Sequence, residues 1–364
     1  MLRFFQARRY RRAVLCLAAT LCSLTPVQSG ELPDGFADMS SDVQAVILEY
    51  MFFPEQANKV WGNDLLLPSP HTLVKYLDDF HTQVIVDFGL GRIHVENRGS
   101  QDPASAIRHA IKAVLLTPAD PTAVDLYTAA EFGLTGKPFL AGKVLDNSGQ
   151  SIEYPWRAEQ FADWLVQNRL QRTRDGYQVS LQMVKNYLQL SAREYQDSVS
   201  RASYRYSLPP SLILAIIETE SSFNPFAISP APAYGLMQVM IASAGKDVYE
   251  RVYQIPGRPS ATDLMNPHTN IDIGSGYLAI LRDVYLGNIQ GQERQDYCII
   301  AAYNGGAGNL LKTFHSDRNQ AVARINAMSP SEVYRTIVSR HPKAETRQYL
   351  QKVTSARSRY EGTR

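Results

Sequence analysis

Between residues 207 and 225 the chain leaves itself little conformational freedom. Ser207-Leu208-Pro209-Pro210 reads as a helix start, because proline suits only the first turn. Leu212, Ile213, Ile216 and Ile217 then recur at helical spacing and form a stripe that asks for burial. Glu218-Thr219-Glu220-Ser221-Ser222-Phe223-Asn224-Pro225 follows, and Pro225 stops the coil. A short apolar helix carrying a carboxyl at its far end is therefore predicted. Helix carbonyls there bear partial negative charge, and apolar surroundings also disfavour a carboxylate. Both effects keep a proton on the group near neutral pH, which general acid catalysis requires. Glu218 competes with Glu220. Two residues apart, they point about 200° away from each other around a helix, so only one can face a cleft, and local geometry does not choose.

The next acidic residue along the chain is Asp247. Glycosidases that use water generally need two carboxyls. A solitary carboxyl suits a reaction with no external nucleophile.

The amino end has its own pattern. Arg3, Arg8, Arg9, Arg11 and Arg12 precede the apolar run 13–24, and Val27-Gln28-Ser29 resembles a cleavage site, so residues 1–29 read as a secretory signal peptide. The run is too short for a membrane span. Setting it aside leaves 32 Lys+Arg against 35 Asp+Glu, and the formal net charge of +2 becomes slightly negative. Nothing in that balance favours nucleic acid. The charge is unevenly spread, with 17 basic and 13 acidic residues from Arg205 onward against 15 and 22 in 30–204. A basic carboxyl half suits an anionic polymer. Cys16 and Cys22 fall in the leader, each preceded by leucine where lipid attachment prefers a small residue. Cys298, in Tyr297-Cys298-Ile299-Ile300, reads as core, and no disulfide is available after the leader.

Two textures divide the remainder, an α+β half over 30–185 and an almost wholly helical one over 205–364, joined by a linking helix over 186–204. Residues 42–53 look helical and end at Pro54. Residues 83–88 and 92–96 alternate on either side of Gly89-Leu90-Gly91, which predicts a hairpin. Residues 104–116 have helical spacing in Ile107, Ile111 and Leu115. Further strands are expected in 139–154 around the turn Asp146-Asn147-Ser148-Gly149. Residues 181–204 read as one long helix, and 270–286, 296–303 and 345–360 as later ones. His71, His81, His94 and His109 have no metal-like spacing.

Glu220-Ser221, Ser229, Gly235-Leu236-Met237-Gln238, Asn270-Ile271, Ala302-Tyr303-Asn304-Gly305-Gly306 and Glu345-Thr346-Arg347-Gln348-Tyr349 resemble, in order and spacing, the blocks of the Slt-type lytic transglycosylases. Val284-Tyr285-Leu286-Gly287 and Arg340-His341-Pro342 are most similar to the membrane-bound lytic murein transglycosylase C branch, which also carries an α+β amino-terminal domain. The pattern departs at Pro232, where many relatives have glycine, and at Met240-Ile241-Ala242-Ser243-Ala244, where they have Met-Pro-x-Thr-Ala.

The resemblance implies an all-α, goose-lysozyme-like catalytic domain. It implies cleavage of the β-1,4 bond between N-acetylmuramic acid and N-acetylglucosamine in peptidoglycan glycan strands, with a 1,6-anhydro product and no cofactor or metal. By the same analogy Glu220 is the acid/base. Tyr303 stands near it, its hydroxyl holding or tuning the carboxyl, and Asn304 supports that loop. Ser229, Met237, Gln238 and Tyr349 face the sugar cleft, while Glu345 and Arg347 form a structural ion pair. The implied place of action is the periplasm, in association with the outer membrane. Two rival readings stand beside this one: a lysozyme-like hydrolase with Asp247 or Asp263 as second carboxyl, and a non-catalytic peptidoglycan-binding scaffold.

Overall fold

The computed structural model describes residues 57–121, 136–229 and 231–361. The leader 1–29 and the helix expected over 42–53 lie outside the described residues. The chain divides into two compact units, Met1–Lys185 with Phe226–Ala233, and Asn186–Pro225 with Tyr234–Arg364.

The first unit is built on a five-stranded antiparallel sheet in the order β1-β2-β3-β5-β4. Its strands are β1 (Thr72–Leu77), β2 (Thr82–Asp87), β3 (Arg92–Asn97), β4 (Gln171–Arg172) and β5 (Tyr177–Gln182). The predicted hairpin is β2–β3, with Val84 opposite Val95 and Val86 opposite Ile93. Those rows continue into β5 as Val179 and Leu181, all six side chains being buried. They lie on one face because strand side chains alternate. Helix α1 (Pro103–Leu115) packs on this part of the sheet and buries Ile107, Ala110, Ile111, Val114 and Leu115. Asp102 caps it by accepting Ser105 N–H at 3.0 Å. Helix α2 (Pro155–Arg169) packs on α1 and β5.

Two expectations fail in this unit. Residues 139–154 contain only isolated bridges, Ala141 with Val144 and Leu145 with Ser151, around the Asp146 turn. The long helix over 181–204 also does not form. Its first residues complete β5, where Val179 and Leu181 obey a period of two.

In the second unit the same stretch supplies two helices, α3 (Tyr187–Glu194) and α4 (Gln196–Tyr206). Tyr195, at φ −101° and ψ 5°, interrupts them, so 186–204 is not one linking helix. Helix α5 (Pro210–Ser221) starts at the predicted proline and buries Leu212, Ile213, Ala215, Ile216 and Ile217 completely. Each of the leucine and isoleucine side chains is worth about 1.5–3 kcal/mol of burial, so α5 anchors the unit. The α-helices of five residues or more that follow are α6 (Ala261–Met265), α7 (Pro267–Ile280), α8 (Gln292–Gly305), α9 (Ala307–Phe314), α10 (Arg318–Ala327), α11 (Pro330–Arg340) and α12 (Ala344–Tyr360). Helix α12 lies along α5. Cys298 is buried in α8, and burial pushes its thiol pKa well up, consistent with a packing role. Among the described residues no helix is long and apolar enough to cross a membrane.

Candidate active site

Helix α5 ends in strained backbone. Ser222 and Phe223 both take left-handed conformations, at φ 52° and 61°, and the N–H of Ser222 closes the last turn on the Glu218 carbonyl at 2.9 Å. Phe223 is held there by Tyr195, whose ring is parallel at 6.4 Å, and by the edge-on ring of Tyr360. The Ser221 hydroxyl, fully buried, lies 3.0 Å from the Ile217 carbonyl and 2.8 Å from that of Leu236. It therefore ties the end of α5 to the turn Gly235-Leu236-Met237-Gln238.

That turn is clamped a second time by Asn270, near the start of α7. The buried amide accepts Met237 N–H at 2.8 Å and donates to the carbonyls of Tyr234 at 2.7 Å and Leu264 at 2.8 Å. Gly235 has φ 70°, and a Cβ there would meet the Asn270 amide nitrogen at 2.4 Å. Only glycine allows this close approach. Gln238 closes the turn through its N–H to the Gly235 carbonyl at 3.0 Å, and its side-chain amide donates to the same oxygen at 2.9 Å.

The two glutamates at the end of α5 go separate ways. Glu218 is bound by the Arg359 guanidinium and by the Tyr360 hydroxyl, the latter at 2.5 Å. Glu220 is half-buried, and its Oε1 accepts the hydroxyl of Tyr349 on α12 at 2.6 Å. It forms no ion pair among the described residues. Burial pushes the Glu220 pKa up to about 8 from an ordinary 4.5; the Tyr349 hydrogen bond works against this, and the charge of Glu345 adds to it. Tyr303 and Tyr349 have their own pKa values pushed well up, by burial first and then by the charge of Glu220. Both are neutral phenols that can donate a hydrogen bond.

Other sequence-based candidates land unevenly. Tyr303 sits electrostatically close to Glu220, but its hydroxyl donates to the Met237 carbonyl at 2.8 Å and not to the carboxyl. It steadies the 235–238 turn, and the contact with the carboxyl expected of Tyr303 is made instead by Tyr349. The Met237 side chain is fully buried, filling the space that the missing Cβ of Gly274 leaves. Its backbone, bonded to Asn270 and Tyr303, is the part that shapes the site. Ser229 belongs to the segment Phe226–Ala233 that clusters with the first unit. Its hydroxyl donates to the Ala231 carbonyl and accepts Ala233 N–H at 3.3 Å. Asn304 Nδ2 donates to Glu345 at 3.0 Å, and Arg347 donates to the His341 carbonyl. The expected Glu345–Arg347 ion pair is therefore absent, since residues two apart on a helix point away from each other.

The clamp by Asn270 was not foreseen. Its signal in the sequence is the Asn270-Ile271 block, which carried no assigned role. Asp247 accepts the Tyr285 hydroxyl at 2.9 Å, and Asp263 accepts Ser260 N–H and Oγ–H at 2.9 and 2.8 Å in a helix cap. Among the described residues no group of three or more His, Cys, Asp or Glu could hold a metal ion.

Two family models match the chain. Residues 40–195 match the membrane-bound lytic murein transglycosylase C N-terminal domain, and 197–326 the transglycosylase SLT domain. The membrane-bound lytic murein transglycosylase C of Serratia proteamaculans is 41% identical over 96% of this chain and 98% of its own length. The protein of the same description from Edwardsiella ictaluri is 46% identical over 85% of this chain and 87% of its own. The solved 70 kDa soluble lytic transglycosylase of Escherichia coli is 30% identical, with a TM-score of 0.35, over 46% of this chain and 24% of that one. The chain belongs to the membrane-bound lytic murein transglycosylase C family.

Proposed function

We propose that this lytic murein transglycosylase cleaves the β-1,4 bond between N-acetylmuramic acid and N-acetylglucosamine with Glu220 as its single acid and base. The observation that carries the proposal is the state of Glu220: half-buried, hydrogen-bonded by Tyr349, free of ion pairs among the described residues, and holding its proton up to about pH 8. The acid gives that proton to the glycosidic oxygen as the C1–O bond breaks. The substrate's acetamido group relieves positive charge at C1. The muramoyl C6 hydroxyl then attacks C1 and returns its proton to the Glu220 carboxylate. A 1,6-anhydro ring closes, and no water is consumed.

Glu220→Gln should abolish release of anhydro-muropeptides from purified sacculi while the variant still folds. Undiminished release would end the assignment. Against the hydrolase alternative stands the engagement of Asp247 with Tyr285 and of Asp263 with its helix cap. Mass spectrometry decides between the two reactions, since a hydrolysed end is heavier by one water. Gln238 and Asn304 would line or brace the glycan groove. The enzyme would act in the periplasm, exported by residues 1–29 and held near the outer membrane, which the membrane-bound relatives support. Cell fractionation tests that location.

A further inference from the structure

Glu345 is exposed, yet its carboxyl is fixed in place. Asn304, on α8, donates to Glu345 Oε1 at 3.0 Å. The amide of Asn304 is itself oriented, because the hydroxyl of fully buried Thr346 donates to Asn304 Oδ1 at 2.6 Å. With its oxygen accepting there, the amide nitrogen must turn toward Glu345. Gly305 keeps the space open, since a Cβ at this position would lie 2.8 Å from Thr346 Oγ1 and 2.9 Å from the His341 ring. Glu345 also stands four residues before Tyr349 on α12, so the two share a helical face. From that face Tyr349 reaches Glu220.

Few charged or titratable groups face Glu220. Helix α12 presents Tyr349 and Glu345, and α8 presents Tyr303, whose hydroxyl is committed to Met237. On α5 itself, Glu218 is bound to Arg359 and Tyr360. Among the described residues Glu345 is thus the one charge whose field acts on Glu220, and it has the same sign as ionised Glu220. Two negative charges in one cleft repel, and the more buried group is the one that stays protonated.

We propose that Glu345 is a positioning residue for the reaction: a carboxylate, fixed by Asn304, that holds the proton on Glu220 by repulsion until a leaving oxygen takes it. The proposal deepens the reading of Glu220 as proton donor and rests on it. It also accounts for the Asn304–Thr346 pair, which otherwise has no task in the chemistry. Burial remains the larger influence on Glu220, and the charge of Glu345 adds to it.

The test compares the full chain with Glu345→Gln and Glu345→Asp, each first checked for folding by thermal melting. Turnover of purified sacculi is followed from pH 5 to pH 9. For Glu345→Gln the alkaline limb should move down by about half to one pH unit, and the ratio of kcat at pH 5 to kcat at pH 8 should rise about two- to fivefold. Glu345→Asp, which retains the charge, should restore most of the limb. An unmoved limb in Glu345→Gln, or a change confined to KM, overturns the proposal. A second measurement does not depend on activity. The stability difference between each protein and its Glu220→Gln version, followed against pH, reports the titration of Glu220 alone. Its upper end should fall to lower pH in the Glu345→Gln background, and an unmoved end again overturns the proposal. Retained activity in Glu220→Gln, by contrast, would overturn the proton-donor assignment while this stability comparison still measured the influence of Glu345.

Discussion

Tyr349 donates a 2.6 Å hydrogen bond to Glu220 across 129 residues of chain. The bond orients the carboxyl and, by favouring its charged form, keeps its pKa from rising further. Tyr349→Phe should therefore lower kcat about 10- to 100-fold, the worth of one hydrogen bond to a charged group. The alkaline limb of the pH–rate profile should move up, because the opposing hydrogen bond has gone. A pH profile of muropeptide release measures both effects. A lower kcat with a limb shifted downward would contradict this account of the pair.

The raised pKa of Glu220 makes stability depend on pH. In the unfolded chain the carboxyl loses its proton above about 4.5, whereas in the folded chain it keeps the proton to about 8. Between those values the folded state binds more protons than the unfolded state. This group's contribution to stability therefore falls as pH rises through that window. Glu220→Gln removes the dependence. The variant should match the parent near pH 4 and gain about 1–3 kcal/mol by pH 8, a range set below the full linkage value because the side chain is partly open to solvent. Chemical denaturation at several pH values checks it. A difference that stays flat with pH would show that the folded protein does not hold the proton.

How much of this was legible in the sequence depended on distance along the chain. The β2–β3 hairpin was readable because Val84, Val86, Ile93 and Val95 alternate around Gly89-Leu90-Gly91. The start of α5 and the place of Glu220 were readable from prolines and apolar spacing. Strand β5 was misread because Val179, Leu181, Met183 and Val184 satisfy both a strand and the start of a helical stripe. The break at Tyr195 carries neither glycine nor proline to mark it. Partners were the least legible feature. The partners that distinguish Glu218 from Glu220 are Arg359, Tyr360 and Tyr349, all on a helix more than 120 residues away. Composition near residue 220 carries no trace of them.

The Asn270 clamp gives a prediction about the turn and not the acid. Asn270→Asp can still accept Met237 N–H, but it loses both donors and leaves the Tyr234 and Leu264 carbonyls without them. It also places a carboxyl where no water reaches. Stability should fall by about 2–4 kcal/mol, the usual consequence of breaking a buried polar network. Urea denaturation measures the loss. Activity at low temperature should fall as well, because the 235–238 turn carries the Met237 carbonyl that holds Tyr303. A variant as stable as the parent would mean that the clamp does not hold the turn.

Glu218 and Glu220 lie two residues apart, and their partners predict opposite consequences of the same change. Glu218→Gln weakens a pair with Arg359 and Tyr360 that ties the end of α5 to the end of α12. Arg359 is largely exposed, so solvent screens the attraction, and the loss should be about 0.5–1.5 kcal/mol. Turnover should stay within about threefold of the parent, because no contact of Glu218 reaches the Glu220 carboxyl. Glu220→Gln should do the reverse, abolishing turnover while raising stability above pH 5. Paired melting and turnover measurements on the two variants separate the roles. If Glu218→Gln were the inactive one and Glu220→Gln the active one, the acid would belong to the other face of α5.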